Sequence, residues 1–256
     1  LFQVYGMASA MRTRNFDCVL LAQNEPEARN FMKMWQRLYT DMVTETKLEE
    51  GSVIRIRPEV DVFSDHMIQF PALNSRLVVG SAGSTKFGKG RGFDMAIGTE
   101  VAQWDVERPA GTAAESWATV EGALRPGGFA ILESTAFGAG GFFYETYMAA
   151  KAGDNGWFPT FYTWMWHPDY TLDPGDPYAL EQDKGDILLT EEERKLGISE
   201  NQARWRRAKI ARMAGRDNEQ RRLMFLQEYP EDDITCFTVS GNPYFSVGHI
   251  DEAVRS

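Results

Sequence analysis

Residues 95–105 read MAIGTEVAQWD: a short apolar run, a Gly-Thr pair, and then a glutamate, Glu100. A run of this length and composition predicts a buried β-strand. An acid directly after such a strand is either a solvated strand end or the working carboxylate of a functional site. Taken alone, the stretch favours the solvated strand end.

Similar apolar runs elsewhere predict further buried strands, separated by helices. The strands are predicted at residues 17–23, 75–82, 93–98 and 128–134. After the first of them, apolar residues recur at helical spacing, with Asn24 as the N-cap and Pro26 in the first turn. Short apolar strands that alternate with helices are typical of a parallel α/β sheet. We therefore predict an α/β fold with a mostly parallel sheet flanked by helices.

Three segments around the last of these strands also have clear patterns. Residues 114–124 predict a helix ended by a proline and two glycines, and residues 142–153 predict a helix closed by its terminal glycine. Residues 157–166, WFPTFYTWMW, resemble a strand. Its aromatic side chains, Trp164 and Trp166 among them, are expected in the core rather than on a stacking surface.

The composition changes near residue 167, where the turn-rich stretch HPDYTLDPGDPY marks a boundary. Charged helices follow, one begun by Thr190 and one by Ser199 with Gln202 in capping-box spacing. The predicted organisation is an α/β core, a small helical subdomain and a return segment, at residues 1–166, 167–230 and 231–256.

The bulk composition is that of a globular protein, with 43% hydrophobic and 25% charged residues. Two cysteines are too few for a disulfide framework, and no apolar run has the length of a membrane helix. A net charge of −10 argues against a surface that binds nucleic acid over its whole area. Basic residues nevertheless cluster within 86–91 and 204–222. Because the chain opens inside a helical pattern without a cap, we expect it to be part of a longer protein.

Residues 83–90, GSTKFGKG, come close to the phosphate-loop pattern, but Gly90 stands where a Ser or Thr should hold Mg²⁺. A phosphate loop must also open a helix, and here a strand follows almost at once. The favoured interpretation is a basic connecting segment, in which Lys86, Lys89 and Arg91 can still reach phosphate as point charges.

A second glycine-rich segment, STAFGAGGFF at residues 134–143, lies between a predicted strand and a predicted helix. It has no lysine, so it cannot be the main triphosphate clamp, and it lacks the third glycine of a dinucleotide fingerprint. Two interpretations stay equally good: a tight turn, or a ligand-facing edge formed by Ser134 and Thr135.

The two strand ends together give Glu100 more weight than it has alone. The carboxyl ends of parallel strands share one edge of the sheet, where α/β proteins bind ligands. A carboxylate there can deprotonate a water that attacks a γ-phosphate, while Ser134 and Thr135 sense whether that phosphate is present. The three histidines are scattered and lack the spacing of metal ligands.

Three segments in order resemble the ATPase domain of the large terminase subunit of tailed bacteriophages. They are GRGFDMAIGTEVAQW, GGFAILESTAFGAGGFFYETYMAA, and FLQEYPEDDITCF followed by GNPYF. The resemblance covers most of the chain, from DCVLLAQNEPEA to PYF. It implies a P-loop NTPase-like fold, hydrolysis of ATP with Mg²⁺, and a molecular motor that packages the viral genome.

The resemblance also implies a role for individual residues. Glu100 matches the catalytic glutamate of the Walker B strand. Thr99 stands where a strict Walker B motif has Asp, so that the protein holds Mg²⁺ less directly and mainly through ATP. Ser134 and Thr135 match the coupling motif that links hydrolysis to DNA movement. Arg91 stands where some terminases have an arginine that reaches the nucleotide of the neighbouring subunit.

Further expectations concern the remaining parts of such a protein and its partners. Residues 167–230 match the lid subdomain, the phosphate loop with its lysine is expected before residue 1, and the nuclease domain is expected after residue 256. The implied partners are double-stranded DNA, further copies in a ring of five, the portal protein and the small terminase subunit, in the host cytoplasm and away from membranes. Two alternatives stay open: another P-loop translocase or helicase, and a catalytically dead remnant that serves as an interaction module.

Overall fold

The computed structural model describes residues 2–43, 45–47, 53–55, 57–83, 92–106 and 112–239. By its packing the chain divides into two compact units, residues 1–134 and 135–256. The domain boundary predicted after residue 166 therefore lies inside the second unit.

The first unit combines helices with strands. Its helices are α1 (Phe2–Ala10), α2 (Glu25–Asp41) and α3 (Thr112–Glu121). Its strands are β1 (Asp17–Ala22), β2 (Glu45–Lys47), β3 (Val53–Arg55), β4 (Val62–Phe63), β5 (Met67–Phe70), β6 (Ser75–Ser81), β7 (Phe93–Thr99) and β8 (Leu124–Glu133). Two short 3-10 helices are formed by Pro71–Leu73 and Val101–Gln103.

Six of these strands form one sheet in the order β4-β5-β6-β1-β7-β8, while β2 and β3 form a separate antiparallel pair. Strands β6, β1, β7 and β8 run parallel, and β4 and β5 add an antiparallel edge next to β6. The predicted α/β class, with a mostly parallel sheet flanked by helices, is confirmed.

Strand β1 lies in the interior of the sheet, and all six of its residues are buried. Its sequence DCVLLA shows no alternation, as expected for a strand covered on both faces. Helix α2 follows with the predicted cap: the Asn24 side chain accepts from the Glu27 N–H at 3.0 Å, and Pro26 lies in the first turn. Its buried residues, which join the same core as β1, are Ala28, Met32, Trp35 and Tyr39.

Charged side chains at the amino ends of the parallel strands connect four strands. Asp17, which opens β1, is 3% exposed. Its two carboxylate oxygens accept from Arg76 on β6 and from Arg125 on β8, each at 2.9 Å. Asp94 on β7 accepts from the Asp17 backbone N–H at 2.8 Å and from Arg125. Each of these charges therefore has an opposite charge and directed hydrogen bonds, which a charge inside a protein requires.

Strand β8 begins earlier than predicted, at Leu124 rather than at residue 128, and the helix before it is correspondingly shorter. Its register against β7 shifts because residues 125–128, RPGG, lie opposite a single residue of β7. The proline has no N–H for the ladder, and a Cβ on Gly128 would lie 3.0–3.1 Å from three backbone oxygens. The resulting bulge carries Arg125, the arginine of the amino-edge network.

The second unit is helical in its described residues. Its helices are α4 (Gly141–Ala152), α5 (Glu191–Leu196), α6 (Glu200–Arg212), α7 (Asn218–Glu228) and α8 (Thr235–Val239), with 3-10 helices at Trp164–Trp166 and Glu181–Asp183. Gly153 closes α4 in a left-handed conformation, and capping boxes begin α5 at Thr190 and α6 at Ser199. These helix predictions are confirmed.

The strand prediction for residues 157–166 is wrong. The segment is irregular and ends in a 3-10 helix. Among the described residues of the second unit there is no strand with which it could pair, and its proline lacks an N–H. Trp164 is buried as expected, whereas Phe158, Tyr162 and Trp166 are 94%, 64% and 68% exposed. Phe161 is partly buried and packs against the cluster of Ala136, Cys236 and Phe237, so the prediction of an aromatic core is correct for Trp164, partly correct for Phe161 and wrong for these three exposed side chains.

Arginines of α6 make ion pairs inside the second unit. Arg206 donates to Glu231 and to Glu192, both at 2.6 Å, and Arg207 donates to Glu193 at 2.8 Å. The Arg206 side chain and the Glu231 side chain are each 6% exposed. This part of the basic cluster is thus neutralised internally, which its sequence alone did not indicate.

We expect Asp17→Ala to lower the free energy of unfolding by about 3 kcal/mol, because Arg76 loses its carboxylate acceptor and Arg125 loses one of its two carboxylate partners. Equilibrium urea unfolding measures this loss. Asp41→Ala is the matched control, since the Arg37–Asp41 side chains are 85% and 70% exposed and such surface pairs contribute little. Equal losses in the two variants would contradict a structural role for the amino-edge network.

Acid is expected to destabilise the second unit. Burial alone raises the pKa of Glu192 and of Glu193, but hydrogen bonds and charges from Arg222, Arg206 and Arg207 hold both pKa values below the ordinary range. Such groups stabilise the fold above their unfolded pKa, and the contribution is lost as the pH falls through the folded pKa. Thermal unfolding followed by circular dichroism should show a midpoint that falls from about pH 5 downwards.

The matched variant for this pH series is Arg207→Gln, which keeps hydrogen-bond donors and removes the charge beside Glu193. Its unfolding midpoint should be lower at neutral pH and should depend less on acid, because the Glu193 pKa then returns toward its ordinary value. An unchanged pH dependence in this variant would show that other carboxylates control the acid response.

Candidate active site

The four parallel strands end together at one edge of the first unit's sheet, called the carboxyl edge below. The residues that directly follow β6, β1, β7 and β8 are Ala82, Gln23, Glu100 and Ser134. In α/β proteins this edge is where ligands bind. The carboxyl edge is therefore the candidate site of the first unit.

The register of β7 and β8 brings the two predicted strand ends together. Thr99, the last residue of β7, pairs with Glu133, the last residue of β8. Glu100 and Ser134 are the next residues of the two strands, and they therefore leave the sheet side by side.

Residues 99–104 form a sharp turn around Glu100, called the Glu100 turn below. The backbone of Glu100 is left-handed, with φ 52° and ψ 42°, and its side chain is exposed. Its carbonyl oxygen accepts from the Gln103 N–H at 2.9 Å, which closes the 3-10 helix Val101–Gln103. A non-glycine residue rarely adopts this conformation, and surrounding contacts must stabilise it when it does.

Side chains from three segments hold the Glu100 turn. The Trp104 indole Nε1 donates to the Thr99 carbonyl at 2.9 Å, and the Ser134 Oγ accepts from the Ala102 N–H at 3.1 Å. The Gln23 amide reaches a third backbone group of the turn, a carbonyl oxygen, at 3.4 Å. Hydrogen bonds from the residues that follow β1 and β8, and from the turn itself, thus keep Glu100 in one place.

Thr99, which the motif resemblance associates with Mg²⁺, is 3% exposed and carries no charge. Within the described ranges no three His, Cys, Asp or Glu side chains are grouped as metal ligands. Among the described residues that directly follow the four parallel strands, the donors are the Glu100 carboxylate and the neutral side chains of Gln23 and Ser134, which do not form a protein-only Mg²⁺ site. They do fit Mg²⁺ that arrives on nucleotide phosphates, since Mg²⁺ commonly binds through substrate phosphates, waters and one or two carboxylates.

The other predicted site residues are less closely connected to this edge. Lys86, Lys89 and Arg91 lie outside the described residues. The division between the two units falls between Ser134 and Thr135, so that the predicted coupling pair spans the unit boundary along the chain.

Two residues next to Glu100 contribute to the site although their role is not evident from the sequence. A Cβ on Gly98 would lie 2.9 Å from Leu132, 3.0 Å from Val101 and 3.2 Å from Trp117. The glycine thus allows the Glu100 turn to pack directly on β7. Trp104 is 1% exposed. In the sequence, Gly98 and Trp104 are visible only as a glycine and a tryptophan close to Glu100. Neither residue type reveals which groups it contacts in the fold.

The cysteines contribute no nucleophile to this chemistry. Burial raises the pKa of the Cys18 thiol far above its ordinary value and raises that of Cys236 to about 11. The thiolate is the reactive form, so both residues are inert packing groups at neutral pH.

Comparisons with known proteins give matches among solved structures alone. No protein-family model matches the chain, and no curated protein sequence matches it. The chain is similar to the large terminase of a thermophilic bacteriophage, with 12% identity and a TM-score of 0.39 over 60% of this chain and 34% of that one. It thus spans about a third of the length of that protein.

The chain is also similar to the large terminase ATPase domain of Thermus phage P74-26, with 14% identity and a TM-score of 0.42 over 90% of this chain and 82% of that one. A mutant of the same domain aligns with 14% identity and a TM-score of 0.41, over 91% and 83% of the two chains. These similar structures come from the family that the sequence motifs resemble. Because identities and TM-scores are this low, they carry no argument about activity.

None of the helices in the described part of the chain has both the length and the apolar character needed to cross a bilayer.

We expect Gly98→Ala to lower the free energy of unfolding by about 1–3 kcal/mol, because the added methyl group overpacks the contact with Val101 and Leu132. Gly140→Ala is the matched control: a Cβ there meets nothing within 4 Å, and its φ of −174° is accessible to alanine. Urea unfolding of both variants tests the prediction. A Gly98→Ala variant as stable as the control would show that the turn does not depend on this close approach.

Proposed function

We propose that this chain is the ATPase domain of the large terminase subunit of a tailed bacteriophage, a P-loop NTPase that hydrolyses ATP to package double-stranded DNA into procapsids. The observation that carries the proposal is the meeting of Glu100 with Ser134 at the carboxyl edge, in a turn held by tertiary hydrogen bonds. An acid and a hydroxyl in this position suit hydrolysis of a phosphoanhydride.

In the proposed mechanism Glu100 is the general base. Its exposed carboxylate accepts a proton from the water that attacks the γ-phosphate, and its rigid turn keeps that carboxylate oriented. Glu100 would be the carboxylate of this edge nearest to Mg²⁺ that arrives on ATP, and that ion would supply neutralisation of the charge that develops on the phosphates. The uncharged Thr99 leaves Glu100 as the acid of the Walker B strand end.

Ser134 is proposed to sense the γ-phosphate. Its Oγ accepts from the Ala102 N–H, and a hydroxyl that accepts in this way still has one hydrogen to donate. When the γ-phosphate leaves, the Ser134 hydroxyl loses the acceptor for its own hydrogen. The hydrogen bond from the Ala102 N–H to Ser134, which stabilises the Glu100 turn, would change with it. Thr135, the next residue, opens the second unit, which supports a role of this pair in relaying the phosphate state along the chain.

The remaining assignments follow the motif resemblance. Arg91 is proposed to reach the nucleotide of a neighbouring subunit, and Lys86 and Lys89 to contact phosphate or DNA. Helices within residues 167–230 are proposed to form the lid. The proposed setting is a ring of copies, five in the family, docked with the small terminase subunit on the portal protein of the procapsid in the host cytoplasm.

Two rival functions stay open, and the sequence gives one of them a supporting observation. A P-loop helicase or translocase would use the same carboxyl edge, and strand separation without packaging into empty procapsids would favour it. A catalytically dead remnant is favoured by GSTKFGKG, the nearest approach to a phosphate loop in these 256 residues, which has glycine in place of the Mg²⁺-holding Ser or Thr. Absence of ATP turnover by the full-length protein, assayed with DNA, would favour the remnant.

We expect Glu100→Gln in the full-length protein to abolish ATP turnover and to leave ATP binding within about two-fold, because the amide cannot accept the proton from water. Phosphate release measures turnover, and titration with a fluorescent ATP analogue measures binding. Near-normal turnover would overturn the assignment of Glu100 as the base.

Glu121→Gln is the matched control for this experiment. Glu121 is exposed at the end of α3, and the same change of charge there should leave both turnover and binding unaltered. A comparable loss of turnover in the control would show that the effect comes from net charge rather than from the base.

A further inference from the structure

Trp104 makes a contact that bears directly on Glu100. Its indole Nε1 donates to the Thr99 carbonyl at 2.9 Å, in a bond whose two partners are buried. Thr99 is the last residue of β7, and its carbonyl oxygen belongs to the same peptide unit as the Glu100 nitrogen and Cα. A hydrogen bond that orients this carbonyl therefore orients the plane from which the Glu100 side chain leaves the backbone.

The left-handed conformation of Glu100 makes this orientation necessary. A non-glycine residue at φ 52° is strained and persists only when surrounding contacts stabilise that conformation. Without the indole donor, the buried Thr99 carbonyl would lose this partner, which is unfavourable in addition to the strain. Loss of the donor therefore favours rotation of this peptide plane, which also moves Glu100.

The position of Trp104 is itself well constrained. The ring is 1% exposed, and its backbone N–H donates to the Val101 carbonyl at 3.1 Å. The next residue, Asp105, accepts from the Ala113 N–H at the start of α3 at 2.9 Å. Hydrogen bonds on both sides of Trp104 along the chain therefore fix the backbone that carries the indole donor.

We propose that Trp104 is a positioning residue for Glu100: its indole N–H sets the orientation of the Thr99–Glu100 peptide and thereby aims the carboxylate. This inference rests on the proposed function, in which Glu100 is the base. Because Trp104 is buried and acts through the Thr99 carbonyl, we expect its effect on the chemical step rather than on nucleotide binding.

The test is Trp104→Phe in the full-length protein, which keeps an aromatic ring and removes the donor. The expected result is a fall in kcat of about 10- to 100-fold with the KM for ATP within about two-fold, because a misaligned general base slows chemistry without weakening binding. Amide exchange at Gln103, which donates to the Glu100 carbonyl, should become faster in the same variant.

Trp35→Phe is the matched control. Trp35 is also buried, and its indole donates to the Gln3 backbone carbonyl at 2.9 Å, far along the chain from the Glu100 turn. Both variants should lose similar stability, but Trp35→Phe should keep its kcat and its Gln103 exchange. Equal kcat values in the two variants would overturn the proposal.

Two further comparisons separate failure of the proposed function from failure of the positioning role of Trp104. If Glu100→Gln keeps its turnover, the proposed function fails, while amide exchange still reports whether Trp104 holds the turn. If Glu100→Gln is inactive and Trp104→Phe is fully active, only the positioning role fails. Should Trp104→Phe not fold, Trp104→benzothienylalanine by nonsense suppression replaces the ring N–H with sulfur at nearly constant size, and its kcat decides the question in the same way.

Discussion

The buried carboxylate of Asp17 is the interaction on which the alignment of the central sheet depends. A charge in a protein interior is tolerated only when opposite charges and hydrogen bonds compensate its lost hydration. Both oxygens of Asp17 are used, one by Arg76 of β6 and one by Arg125 of β8. The bulge at residues 125–128 then shifts the register of β8 against β7, and beyond it the two strands stay in step as far as the carboxyl edge, where Glu100 emerges beside Ser134.

The Glu100 turn depends on this alignment of β7 and β8, because Ser134 reaches it from the end of β8. The backbone of Glu100 is locally unfavourable, and hydrogen bonds involving Trp104 and Ser134 offset that strain. A carboxylate held on rigid backbone needs no rearrangement before it acts, which is the advantage of a preorganised site. Gly98 makes the arrangement possible, because any larger residue would occupy the space where the turn packs on β7.

Local signals predicted most elements correctly, and contacts between distant residues explain the errors. The cap at Asn24 and the capping boxes of α5 and α6 involve residues three positions apart, so a short stretch contains all the information. The aromatic stretch 157–166 has strand-like composition, but a strand needs a partner, and the described residues of its unit offer none. The basic stretch 204–222 resembles an exposed patch, but Arg206 is neutralised by carboxylates distant in the chain.

The sequence by itself determined the α/β class, the order of the central strands and helices along the chain, and the presence of an acid and a hydroxyl after two strands. These depend on hydrophobic period and on neighbours within a few residues. Only the tertiary structure decided that Glu100 is left-handed, that Trp104 orients its peptide, and that the α6 arginines are internal. Each of these depends on hydrogen-bond partners brought together by strand register and helix packing, which no local pattern encodes.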